Sequence, residues 1–225
     1  MTKFTVFCAQ RSGSNYLQKL IEDNYENCTS LEFKHTKRQW KHASFSPVWN
    51  KEIDFGILLA KHPIKWVNSC MRFNADMWKW WGVSMSSEWE VTDEFDRDLY
   101  FEYKGRHVSI PKMVERWNKH YNAWLEHSNC KFVWYPDLLE DNSRTVILEE
   151  IALENNLVHK PGFVDPKRVQ HSDEFTDAKR ARELDLNDND MLNDKPHIVE
   201  YINENIDNKL LDKMMSLSYE NRSCI

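Results

Sequence analysis

Glycine and proline are scarce in this 225-residue chain, at 5 and 7 residues. Their scarcity excludes long linkers and collagen-like segments. The chain also lacks any apolar run approaching ~20 residues, so no segment reads as a membrane span. It lacks positive charge overall, with a formal net charge of −6. A chain whose main partner is a nucleic acid polymer would be basic. A small anionic ligand stays admissible, because local cations can oppose the global sign. The five cysteines, Cys8, Cys28, Cys70, Cys130 and Cys224, are odd in number and have no zinc-like spacing. They read as buried thiols in a reducing compartment, and no metal is expected. No basic stretch, apolar core and small-residue cleavage site opens the sequence. A cytoplasmic location is therefore expected, and Asn27-Cys28-Thr29 and Asn221-Arg222-Ser223 read as chance matches to the glycosylation pattern.

What is present is a globular composition, 41% apolar and 29% charged, with 10 tryptophans. The length suits one α/β domain spanning 1–225. Phe4 to Cys8 is a β-branched and aromatic run that stops at the polar Gln10-Arg11-Ser12-Gly13-Ser14. Tyr16, Leu17, Leu20 and Ile21 follow at helical spacing, so a helix is expected from Ser14 or Asn15. The pattern recurs: a strand over Ile53–Ala60, then Pro63 opening a helix that carries Trp66, Val67, Cys70, Met71, Phe73 and Met77. Residues 25–52 show no assignable element. Residues 78–110, rich in Trp, acid and Ser, read as an insertion or lid. A helix is expected from Pro111, a third strand over Lys131–Tyr135, and a helix capped by Asn142 or Ser143. Residues 160–195 read as loop-rich, and one last helix is expected from Pro196 through Met214. Strands alternating with helices predict parallel βαβ units, a central parallel sheet with helices on both faces.

Such sheets bind ligands beyond the carboxyl ends of their strands. The loop Gln10–Asn15 lies there, and backbone N–H groups at the start of the following helix suit an anion. Gly13 allows close approach, Arg11 brings a cationic fork, and Ser12, Ser14 and Asn15 bring side-chain donors. A Ser-capped helix after a plain turn accounts for the same residues without a ligand. The loop of a nucleotide triphosphatase would read G-x-x-x-x-G-K-[ST]. With Gly13 as the second glycine, Cys8 and Ser14 occupy the first glycine and the lysine positions.

These residues resemble the family of sulfotransferases that use 3′-phosphoadenosine 5′-phosphosulfate (PAPS). The family's 5′-phosphosulfate loop has the form P-[KR]-[ST]-G-[ST]-[TSN]-[WFY]-L, against Gln10-Arg11-Ser12-Gly13-Ser14-Asn15-Tyr16-Leu17 here. Gln10 stands for the proline. The family's 3′-phosphate site is a strand, then R-[ND]-P, then a serine six residues on. Here Leu58-Leu59-Ala60 leads to Lys61-His62-Pro63 and Ser69, with Arg72 following. Phe132 to Asp141 resembles the strand ending in Y-E-D-L, whose tyrosine packs near the adenine. That role falls to Tyr135, while Pro136 replaces the glutamate. The resemblance covers roughly 3–155. Past it the family often adds a basic loop, for which Lys167 and Arg168, or Lys179 and Arg180, qualify; a solvated charged face is the alternative.

The resemblance implies a P-loop NTPase-like sulfotransferase fold. It also implies transfer of a sulfuryl group from PAPS to a hydroxyl or amine of a small-molecule or carbohydrate acceptor, leaving adenosine 3′,5′-bisphosphate. Arg11 is expected to stabilise the developing charge. Gln39-Trp40-Lys41-His42 is similar to the family's K-x-H strand, although Lys41 and His42 are adjacent, and it makes His42 the favoured base. Glu32 is the second candidate and His35 the third. Trp78, Trp80, Trp81 and Trp89 lie where the family's acceptor lid sits and suit either acceptor stacking or core packing. Two other readings stay open: a P-loop-type kinase, and a nucleotide-binding module without turnover.

Overall fold

The computed structural model describes residues 1–9, 12–31, 42, 45–46, 52–72, 84–85, 99–103, 106–166, 168–171, 174–177 and 192–218. In chain order the elements are β1 (Thr2–Cys8), α1 (Ser14–Asn24), β2 (Cys28–Ser30), β3 (Phe55–Ala60), α2 (Pro63–Arg72), β4 (Ser84–Met85), β5 (Tyr100–Tyr103) and β6 (Arg106–Ser109). Next come α3 (Ile110–His127), β7 (Lys131–Trp134), a 3-10 turn over Tyr135–Leu138, α4 (Asp141–Asn155), β8 (Arg168–His171), β9 (Glu174–Asp177), α5 (Pro196–Asn205) and α6 (Asn208–Ser216).

Four strands form a wholly parallel sheet in the order β2-β1-β3-β7. The apolar runs of β1 and β3 suit strands buried on both faces, and alternate residues feed two separate cores. Phe7, Leu58, Phe132 and Trp134 pack with residues of α2, α3, α5 and α6, including Trp66, Trp117, Trp124 and Ile202. Val6, Cys8, Ile57, Leu59 and Val133 pack on the other side with residues of α1 and α4, including Leu17, Ile21 and Ile151. The expected α/β architecture, a parallel sheet between helices, is what the chain adopts.

Several details differ from expectation. The Trp-rich stretch contributes a three-stranded antiparallel sheet, β4-β6-β5, and residues 168–177 a hairpin. The helix after β7 begins at Asp141, ahead of the expected caps. Ser143 lies inside its first turn and donates from Oγ to the Asp137 carbonyl at 2.6 Å. The last helix is two, because Asp207 interrupts it: its carboxylate accepts from the Leu210 N–H at 3.0 Å and caps α6. By contrast, the expected opening of α3 holds to within a residue, with Ser109 accepting from the Lys112 N–H at 3.4 Å. None of the four cysteines described forms a disulfide. Among the described residues no helix is long and apolar enough to cross a membrane.

His120 on α3 is fully buried, its ring 4.9 Å from that of Tyr121 and 6.3 Å from that of Trp124. Burial, helped by the Arg116 charge, pushes its pKa down to about 3. The native state therefore refuses a proton that the unfolded chain takes up near 6.5. Stability from this group is complete above that pH and is lost as pH falls toward 3. Between pH 7 and pH 5 the wild type should lose about 2 kcal/mol more than His120→Phe, read from denaturant midpoints at the two pH values. Equal losses would mean that His120 protonates freely in the native state.

Candidate anion and nucleotide site

The sheet order places β2 and β3 on opposite sides of β1, so a topological switch point lies at the carboxyl ends of β1 and β3. Cys8 pairs with Leu59 and Ala60 with Trp134. Lys61 and Tyr135 are therefore each the first residue past the paired register, side by side, with Gly13 against Tyr135. Three segments far apart in sequence meet here for a purely topological reason.

Lys61 is only 2% exposed. Its Nζ donates to Ser69 Oγ at 2.7 Å and lies 4.7 Å from the centre of the Tyr135 ring. The backbone is held as well, since Trp117 Nε1 donates to the Lys61 carbonyl at 3.3 Å. Burying an ammonium group costs several kcal/mol unless charge or hydrogen bonds compensate. An anion at this point would meet a full positive charge beside the Ser69 hydroxyl and the Tyr135 ring. Beside it, burial and then the Lys65 charge hold His62 below the usual histidine range.

Gly13 precedes α1 with φ +91° and ψ 16°, a left-handed conformation that favours glycine. The Tyr135 ring presses on it: a Cβ here would lie 2.3 Å from Tyr135 Cε2 and 2.7 Å from Cδ2. Gly13, Tyr135 and Lys61 thus form one packed unit. Ser14 opens α1 and is buried, Asn15 is half-buried, and Tyr16 is buried with its hydroxyl donating to Asp165 Oδ1 at 3.1 Å. That bond ties the 160–166 segment to α1. Ser12 is fully buried, its Oγ 3.5 Å from the Tyr121 hydroxyl.

His42 stands at the same end of the sheet. Its Nδ1 donates to the Cys8 carbonyl at 2.9 Å and lies 3.5 Å from Cys8 Sγ. Donation from Nδ1 leaves the imidazole lone pair on Nε2. Arg72 ends α2, and Arg168 opens β8, a strand that lies against α1. Arg11, Glu32, His35, Lys41, Lys167, Lys179 and Arg180 lie outside the described residues, as do Trp78, Trp80, Trp81 and Trp89.

Tyr121, on the helix expected from Pro111, is not among the residues that the sequence singles out. The available signal was its position between Trp117 and Trp124, because a buried tyrosine needs a partner for its hydroxyl. Comparison with protein-family models, curated proteins and solved structures gives no match for this chain.

Proposed function

We propose that this chain is a PAPS-dependent sulfotransferase with the P-loop-like sulfotransferase fold, acting in the cytoplasm on a hydroxyl or amine of a small molecule or carbohydrate. The observation that carries the reading is the meeting of Lys61, Ser69, Tyr135 and Gly13 at the switch point. Lys61 and Ser69 suit a 3′-phosphate, the face of Tyr135 an adenine, and the loop before α1 a 5′-phosphosulfate. His42 is the proposed base: with Nδ1 donating to the Cys8 carbonyl, the neutral ring carries its lone pair on Nε2, the atom that would take the proton of the acceptor. In that scheme the acceptor oxygen or nitrogen attacks sulfur. The bond from sulfur to the bridging oxygen breaks, and adenosine 3′,5′-bisphosphate leaves with the electron pair, its charge met by Arg11. Glu32 is the alternative base.

Calorimetric titration tests the reading. Adenosine 3′,5′-bisphosphate should bind at least about tenfold tighter than ADP, since one more charge-assisted contact is worth that much. ADP bound equally well or better would overturn the proposal and favour a kinase.

A further inference from the structure

The Tyr121 hydroxyl is fully buried where β1 and β3 part. It accepts from the Ala9 N–H at 3.1 Å and donates to the Leu59 carbonyl at 3.0 Å. A phenol hydroxyl has one proton and two lone pairs. The proton goes to Leu59 and one lone pair serves Ala9. The remaining contact, Ser12 Oγ at 3.5 Å, is the longest of the three and has Ser12 as its donor. Burial raises the phenol pKa far above its ordinary value, so the hydroxyl keeps its proton at working pH.

The last β1–β3 pair is Cys8 with Leu59. At the next residue the strands separate and the loop departs. One hydroxyl on α3 thus stitches the Ala9 N–H to the Leu59 carbonyl across that fork and holds Ser12, the residue immediately before Gly13. Ser12 commits its proton to Tyr121, so what it can offer an anion is its backbone N–H. At its other end the loop is pressed by Tyr135.

We infer that Tyr121 is the positioning residue of the 5′-phosphate loop, fixing where the loop leaves the sheet without touching the nucleotide. This rests on the sulfotransferase reading. The two phosphates separate the role from general stability, because Lys61 and Ser69 lie on another segment from the loop.

Tyr121→Phe and the wild type are titrated with adenosine 3′,5′-bisphosphate and with adenosine 3′-monophosphate. The ratio of the two affinities reports what the 5′-phosphate contributes. In Tyr121→Phe that ratio should fall by about tenfold, with the 3′-monophosphate affinity unchanged within about twofold, because the lost group is worth about one hydrogen bond to the loop. Wild-type binding with the ratio preserved in the variant, or with both nucleotides weakened equally, overturns the inference and leaves the sulfotransferase reading standing. Binding of neither nucleotide by the wild type overturns both. Should Tyr121→Phe fail to fold, Ser12→Ala, which keeps the Ala9–Leu59 stitch, decides: a ratio lowered by about threefold supports the role and an unchanged ratio overturns it.

Discussion

Gly13→Ala should lower the affinity for adenosine 3′,5′-bisphosphate by about a hundredfold or more, the sum of two independent penalties. The first is backbone: φ +91° costs an alanine about 1–2 kcal/mol. The second is contact, since the new methyl would sit 2.3 Å from Tyr135 Cε2, where carbon atoms normally rest about 3.5–4 Å apart. Tyr135 has little room to yield. It is 5% exposed and carries the Lys61 ammonium on its face. Either the ring leaves the lysine or the loop leaves the ring, and both disassemble the site. The two penalties separate in a cycle with Tyr135→Ala. Without the ring the methyl has space, so Gly13→Ala should cost about tenfold in that background. An equal cost in both backgrounds would mean that the glycine matters for its backbone alone. Wild-type affinity in Gly13→Ala would remove the loop from the nucleotide site.

Lys61→Met should weaken adenosine 3′,5′-bisphosphate by about a hundredfold, the value of a charge-assisted phosphate contact. Adenosine 5′-monophosphate, which lacks the 3′-phosphate, should change by no more than about threefold. Ser69→Ala should follow the same selectivity with a smaller loss of about tenfold. Because Lys61 Nζ donates to Ser69 Oγ at 2.7 Å, the two residues act as a unit, and the double variant should lose less than the product of the single losses. Titration of the three variants against both nucleotides measures this. Equal weakening of both ligands by Lys61→Met would make the lysine a structural element and leave the 3′-phosphate without its partner.

The opening strand–loop–helix and the β3–α2 unit were legible because each apolar run ends abruptly in polar residues and is followed by helical spacing. Lys61, Ser69 and Tyr135 were legible as separate motifs. Their contact was not, because it follows from the register of β3 with β7, a pairing between distant segments that no local pattern encodes. The antiparallel sheet was missed because its strands are two to four residues long, too short to show a period. The α5–α6 break was missed because Ile198, Ile202, Ile206, Leu210 and Met214 run straight through it at a spacing of four. The interruption is decided by the Asp207 cap and its tie to α3, where Asn122 Nδ2 donates to Asp207 Oδ2 at 3.0 Å. The cap before α4 was misread because a serine that bonds back to a preceding carbonyl looks, in sequence, like one that accepts from the helix.

The pairing of β3 with β7 also sets an order of events during folding. β1 with α1, and β3 with α2, can form from nearby residues, whereas Lys131–Trp134 must find Ile57–Ala60 across everything between them. Parallel pairings over such separations are the slow ones. Tyr135 reaches Lys61 and Gly13 only when that pairing closes, so a partly folded chain holds the halves of the pocket apart. Under the proposed function, nucleotide would recognise the finished molecule alone, and bound ligand would draw the folding equilibrium toward it by mass action.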